Sequence, residues 1–213
     1  MKKTPGTAPV QARSRGIRET PAVRQQSIID ATMRCIARYS FSETTIDRIC
    51  AEAKVSRGLI NHHFNGISGL LIEVYEAMTQ SMLAAGRETL SVEGTAEDRL
   101  AAVIDTMFRP PMFSKSSLRA WLALWGEVAT NPRLKASHRK SYDAYRNAIG
   151  DALAGIAQGR KVKIDGEALA MTVIALIDGL WIEWCLDSSV VNRDSARAAV
   201  YDLLEARLGA LKR

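Results

Sequence analysis

The chain predicts an all-α fold in two parts, a compact N-terminal unit of three helices joined to a longer helical body. Three observations lead there. Only six prolines occur in 213 residues, and apolar residues recur three and four apart rather than in strict alternation. The charge is lopsided. Residues 1–63 hold eleven Lys and Arg against five Asp and Glu, which is the whole formal charge of +6, leaving 18 of the 29 basic and 18 of the 23 acidic residues for the other 150. Finally, all four tryptophans, Trp121, Trp125, Trp181 and Trp184, lie in the neutral part. One end of the molecule is made to meet a polyanion and the rest is not.

Taken in order, residues 1–21 are basic and contain Pro, Gly, Ser and Thr, so they read as a flexible arm, of a kind that can enter a minor groove or merely solubilise. Helix one is expected over 22–39, with Ile28, Thr32, Cys35, Ile36 and Tyr39 as its apolar stripe. Ser40, Phe41 and Ser42 break it. Thr44 or Thr45 then caps a second helix with Ile46, Ile49, Cys50 and Ala53 along one face. Lys54 and Val55 make a turn, and Ser56 caps a short third helix ending near Phe64. Asn65-Gly66 closes the unit, which spans 22–67. The body, 68–213, opens with a linker helix over 68–89 carrying Leu71, Val74, Tyr75, Met78 and Met82 on one side. A helix over 96–108 stops at Arg109-Pro110-Pro111, since proline cannot extend a helix and restricts its predecessor. Further helices are expected over 116–130, 132–157, 167–186 and 193–211, with a loop at 159–166.

The helix–turn–helix pattern at 44–64 has a definite chemical reading. The first helix braces the second, and the second lies in a major groove with its first residues at base edges. Bracing positions must be small or apolar: Ile46, Ile49, Cys50, Ala53, Val55 and Phe64. Gly58 is expected to let the third helix pack closely on the second. Among outward positions, Arg57 has the fork for guanine and Asn61 the amide for adenine. Ser56, His62, His63 and the Thr44/Thr45 pair suit phosphate oxygens, which fix register without reading sequence.

At these residues the chain resembles the TetR family of bacterial one-component repressors, whose signature can be written I-A-x-x-A-G-V-S-x-G-x-x-Y-x-H-F. The matching run is Ile49-Cys50-x-x-Ala53-Lys54-Val55-Ser56-x-Gly58-x-x-Asn61-x-His63-Phe64. There are three departures. Lys54 replaces the turn glycine, which calls for a positive φ at a cost of about 1 kcal/mol, and it is a candidate phosphate contact. Asn61 replaces the usual tyrosine, and Ile67 stands where a lysine often begins the fourth helix. The resemblance implies a homodimer with one recognition helix from each copy in successive major grooves of a near-palindromic operator, and a small-molecule effector in the C-terminal half.

In that half, Trp121 and Trp125 are one turn apart, as are Trp181 and Trp184, so each pair can share a helix face. They are the candidate ligand-binding residues, since tryptophan faces suit quaternary ammonium groups; packing in the core or at a dimer contact is the competing role. The runs 120–125 and 175–181 look like the C-terminal half of the BetI-like subgroup, which includes repressors of choline-to-glycine-betaine genes, and this implies a choline-like effector. The helix at 167–186 is apolar nearly all round from Ala168 to Leu186, and 19 such residues approach the length of a membrane span. Asp178 and Glu183 argue against that and for a helix buried on most sides, in a core and a subunit interface. Gly179 is expected to admit a partner helix.

Cofactors and metals are not expected. The cysteines (Cys35, Cys50, Cys185) are far apart, and His62 and His63 point to different sides of a helix. The absence of a secretory apolar segment and of a cysteine framework implies the cytoplasm. An enzyme is not expected, because there is no nucleophile elbow, phosphate loop or redox cysteine pair. An architectural DNA binder without effector and a family member that activates are the alternatives to a ligand-responsive repressor.

Overall fold

The computed structural model describes residues 20–39, 42–90 and 93–211. Residues 1–19 of the expected basic arm, and Ser40 and Phe41 of the expected break, lie outside the described residues. The described residues form nine helices and no strand: α1 (Pro21–Tyr39), α2 (Ile46–Ala53), α3 (Arg57–Phe64), α4 (Ile67–Leu90), α5 (Ala96–Met107), α6 (Lys115–Thr130), α7 (Pro132–Arg160), α8 (Gly166–Leu186) and α9 (Arg193–Leu208).

The short helices are defined by their caps. Thr45 Oγ1 accepts from Arg48 N at 3.3 Å and Ser56 Oγ accepts from Leu59 N at 3.3 Å, so each satisfies a donor that the first turn leaves without a partner. Lys54 ends α2 in the left-handed region at φ 55°, with Val55 N donating to Cys50 O at 3.0 Å. The side chain forced into this glycine-type position costs about 1 kcal/mol. Two ends differ from expectation for the same kind of reason. α7 continues to Arg160, whose guanidinium is held by Glu97 and by the carbonyl of Leu208, and stops at Lys161 with φ 58°. α9 stops at Leu208 because Gly209 turns to φ 82°.

α4 is the spine. Its Leu70, Val74 and Tyr75 are fully buried, and it packs on α1 and α3 on one side and α5 and α7 on the other. α1 adds a second bridge by packing on α6 as well as on α2. A three-helix unit of this size buries too little apolar surface to stand comfortably alone, and sharing a core with the body offsets that deficit. Gly69 sets the junction: a Cβ there would lie 1.7 Å from the carbonyl oxygen of Phe64, so only glycine lets α4 approach the end of α3. Gly58, by contrast, faces open space, with nothing nearer its Cβ position than Ser56 Oγ at 3.8 Å. The expectation that Gly58 lets α3 approach α2 is therefore corrected. Its bare backbone lies on the outer face of α3.

Within a single chain α8 is buried along one side. Leu169, Val173, Ile177 and Trp181 face inward, yet Met171, Thr172, Ala175, Gly179 and Leu186 are exposed along the opposite face, Met171 at 55% and Leu186 at 71%. It is long and apolar enough to cross a membrane by length and composition, but here it packs on α6, α7 and α9.

The junction makes a first prediction. Gly69→Ala forces backbone apart and should destabilise the protein by about 2 kcal/mol or more, read as a lowered thermal midpoint. Gly58→Ala, in open space, should leave the midpoint within a degree or two of wild type or raise it.

Candidate nucleic-acid interface and ligand cleft

The recognition helix α3 rests on Ile60 (0% exposed) and Phe64, which join Ile28 and Ile49 beneath it. Ile60 was missed as a bracing position, although its spacing of four from Phe64 carries the signal. With that face fixed, Arg57, Gly58, Asn61 and His62 are exposed and His63 is half-buried. Thr44 is buried at 7% and Thr45 is exposed, so of that pair only Thr45 presents its hydroxyl outward. Thr45 and Ser56 use an oxygen lone pair as caps and still keep an O–H to donate to a phosphate. Lys54 is exposed at the turn.

Arg57 is already engaged. Its Nε and Nη2 donate to the two carboxylate oxygens of Asp47 at 2.6 and 2.5 Å, a fork-on-fork pair. The hydrogen bond from Arg57 holds the Asp47 carboxyl below its usual range, and the same contact raises the guanidinium. Arg34 and Arg38 of α1 both reach Glu52 of α2, at 2.7 and 3.8 Å. These exposed pairs orient side chains more than they stabilise the fold.

The tryptophans do not form one cage. Trp121 (1% exposed) meets Tyr75 edge-on at 5.8 Å and Trp125 at 5.7 Å. Trp181 is buried in α8. Trp184 is taken up elsewhere: it stacks on Phe113 at 4.2 Å, with Lys115 Nζ 4.3 Å over its ring. That same ammonium donates to the Trp184 carbonyl at 2.5 Å, closing the C-terminal end of α8.

A cleft of about 350 Å³ between α7 and α8 holds the unusual chemistry. Asp178 lies on its wall and accepts from Tyr142 Oη at 3.2 Å. Tyr142 packs on the His138 ring at 4.1 Å, and His138 Nδ1 meets Tyr75 Oη of α4 at 2.5 Å. Burial pushes the Asp178 carboxyl up to about 7, with the Tyr142 hydrogen bond opposing. Burial, helped by Arg146, lowers His138 and so favours the neutral imidazole. Burial and Asp178 together raise Tyr142 and Tyr145. The Tyr145 hydroxyl and the indole nitrogens of Trp125 and Trp181 are buried without a hydrogen-bond partner. Sequence reading singled out Asp178 but not its tyrosine and histidine neighbours, which come from α4 and α7. A second cavity of about 510 Å³ lies between α1, α4 and α6, floored by Met33, Met78, Met112 and Trp121. Among the described residues no three His, Cys, Asp or Glu side chains gather as metal ligands would.

An exposed, capped second helix of a helix–turn–helix on an all-helical body defines a bacterial transcription regulator of the TetR class. Comparison bears this out: residues 28–74 match the family of bacterial regulatory proteins described as tetR, and residues 96–209 match the C-terminal domain of the BetI-type transcriptional repressors. The chain thus belongs to the TetR family, with a BetI-type C-terminal domain. It is 30% identical to the HTH-type transcriptional regulator BetI of Vibrio atlanticus over 88% of this chain and 93% of the relative. It is 29% identical to that of Ectopseudomonas mendocina, over 87% and 94%. A protein of Pseudomonas aeruginosa PAO1 described as a transcriptional regulator superposes with a TM-score of 0.80 at 32% identity, over 89% of this chain and 92% of that one. A regulator from Saccharomonospora viridis, solved in complex with choline, shares the fold with a TM-score of 0.79 at 23% identity, over 90% and 100%.

Asp178 makes stability depend on pH. Folded, it keeps its proton up to about 7; unfolded, it loses it near 3.8. The native state therefore binds more protons between those values, and its stability falls as pH rises through that window, then levels off. Asp178→Asn removes the ionisation. Its unfolding free energy should pull ahead of wild type from pH 4 to pH 7 and keep a constant lead above, by at most about 4 kcal/mol. A lead independent of pH would contradict the assignment.

Proposed function

We propose that the protein acts as a homodimeric, ligand-responsive repressor in the cytoplasm. Two copies present α3 to successive major grooves about 34–36 Å apart on a near-palindromic operator. The observation that carries this reading is the outer face of α3, where Arg57, Asn61 and His62 stand exposed on a helix fixed by Ser56 and Ile60. Asp47 holds the Arg57 fork ready. An exposed ion pair contributes at most about 1 kcal/mol, so guanine O6 and N7 can replace the carboxylate at little cost. The exposed stripe of α8, Met171, Thr172, Ala175, Gly179 and Leu186, supports dimerisation. It is apolar, and no neighbour occupies the space at Gly179.

The effector reading rests on the cleft at Asp178. A half-buried carboxyl beside tyrosine and histidine rings fits a compact organic cation, in keeping with the choline bound by the S. viridis protein. Bound charge at Asp178 acts on Tyr142, next on His138, and through the Tyr75 hydroxyl on α4, whose start is locked to α3 at Gly69. A ligand that binds better when α4 is displaced lowers operator affinity by that difference.

DNase footprinting of the DNA flanking its gene tests the first part. A protected near-palindrome is the expected result; uniform protection would favour an architectural binder. Arg57→Ala should cost about 1–3 kcal/mol on the operator and much less on random DNA. Equal losses on both would remove Arg57 from base reading. Tyr75→Phe should leave choline binding within about threefold while blunting choline-driven operator release, because the hydroxyl joins the cleft to α4. Unaltered release would exclude that route.

A further inference from the structure

The cleft is not lined as a site for a plain cation would be. Opposite its one carboxyl stand Lys135, Arg139 and Arg146, all on the face of α7 that carries His138 and Tyr142. Lys135 and Arg139 are four residues apart, a like-charge spacing that disfavours the helix by a few tenths of a kcal/mol, roughly. Among the described residues neither has an ion-pair partner, whereas Arg146 is held by Asp143 at 2.5 Å. Asp178 pairs with neither of them: its carboxylate accepts from the Tyr142 hydroxyl instead. A cavity with one half-buried acid on its wall and unpaired cations at its rim has two electrostatic requirements. An ammonium alone meets one of them and is repelled by the other.

We infer that the effector is a compact zwitterion, its ammonium held at Asp178 and Tyr142 and its carboxylate or other acidic group held at Arg139, with Lys135 beside it. This rests on the effector reading of the cleft and goes further by adding the second charge. The reach agrees. Arg139 lies three residues before Tyr142 on α7, about 4.5 Å along the axis. A guanidinium there covers the few ångströms that separate the charges of a betaine or an amino acid. The fork of Arg139 also suits a planar carboxylate better than an ammonium would. Met171, Ile174 and Ala175 of α8 supply the apolar wall against which alkyl groups of the head can rest.

The test is titration calorimetry of the full chain with two probes that share a trimethylammonium head, choline and its carboxylate counterpart trimethylglycine. A third probe, 3,3-dimethylbutanoate, keeps the carboxylate and replaces the nitrogen by carbon. Wild type should bind trimethylglycine about tenfold or more tightly than either other probe. Arg139→Gln, an exposed change that spares the core, should bring trimethylglycine to within about threefold of choline and leave choline unaffected or slightly improved. Asp178→Asn should weaken both ammonium probes and spare 3,3-dimethylbutanoate. Choline binding as well as trimethylglycine, with a ratio that Arg139→Gln does not move, would overturn the zwitterion while leaving the cation site standing. A changed dimer dissociation constant in Arg139→Gln with an unchanged ligand ratio would also overturn it, assigning the rim to the second copy. If no probe binds above the level of Asp178→Asn, the effector reading of the cleft falls together with it.

Discussion

The contact between the backbone of Phe64 and the α-carbon of Gly69 governs how the two halves of this molecule relate. The end of α3 and the start of α4 touch there without side chains between them, so the angle of the recognition helix is passed to a helix of 24 residues. Interiors are close-packed and respond to displacement by switching arrangements rather than by bending smoothly. A shift of α4 is therefore carried to α3. Were a larger residue at position 69, the same two helices would be separated by a cushion able to absorb the motion.

Where α4 meets α7 it is held by polar chemistry of an uncommon kind. Tyr75 is fully buried yet bonded to His138, and the neutral imidazole is the form that burial and Arg146 favour. Next along stands Asp178, an acid poised near neutrality by burial rather than by partners. Such groups are costly to bury, and an apolar set of the same shape would make a more stable body. What the polar set provides is continuity: hydrogen bonds and a ring contact run from Asp178 through Tyr142 and His138 to Tyr75 of α4.

The two surfaces also balance specificity against readiness. Arg57 is held through both sides of its fork by Asp47, which restricts its side chain before any other partner is met. Because both partners are exposed, the pair is easily exchanged. In the body, the exposed apolar face of α8 adjoins the cleft, since Met171 and Ala175 belong to both. The cleft and the exposed apolar face thus share a border on a single helix.

Much of the DNA-facing half was legible in the sequence because its information is local. Caps, the positive-φ turn at Lys54 and the bracing stripe all lie within a few residues of what they act on, so spacing alone revealed α2, the turn and α3. All nine helices stood within a turn of their observed ends for the same reason, with Lys161 and Gly209 deciding the ends of α7 and α9. Gly58 was misread because spacing does not say which side of a short helix meets its neighbour, and Gly69, which does make the close contact, carries no motif. The candidate ligand site was the least legible. Trp121 and Trp125 do meet, but Trp184 packs on Phe113 while Tyr142, His138 and Tyr75 form a bonded series leading from Asp178. Those residues are separated by 36 and 63 positions in the chain. Their meeting depends on the crossing of α4, α7 and α8, which only the packed structure decides, because periodicity specifies a helix face and not the face opposite it.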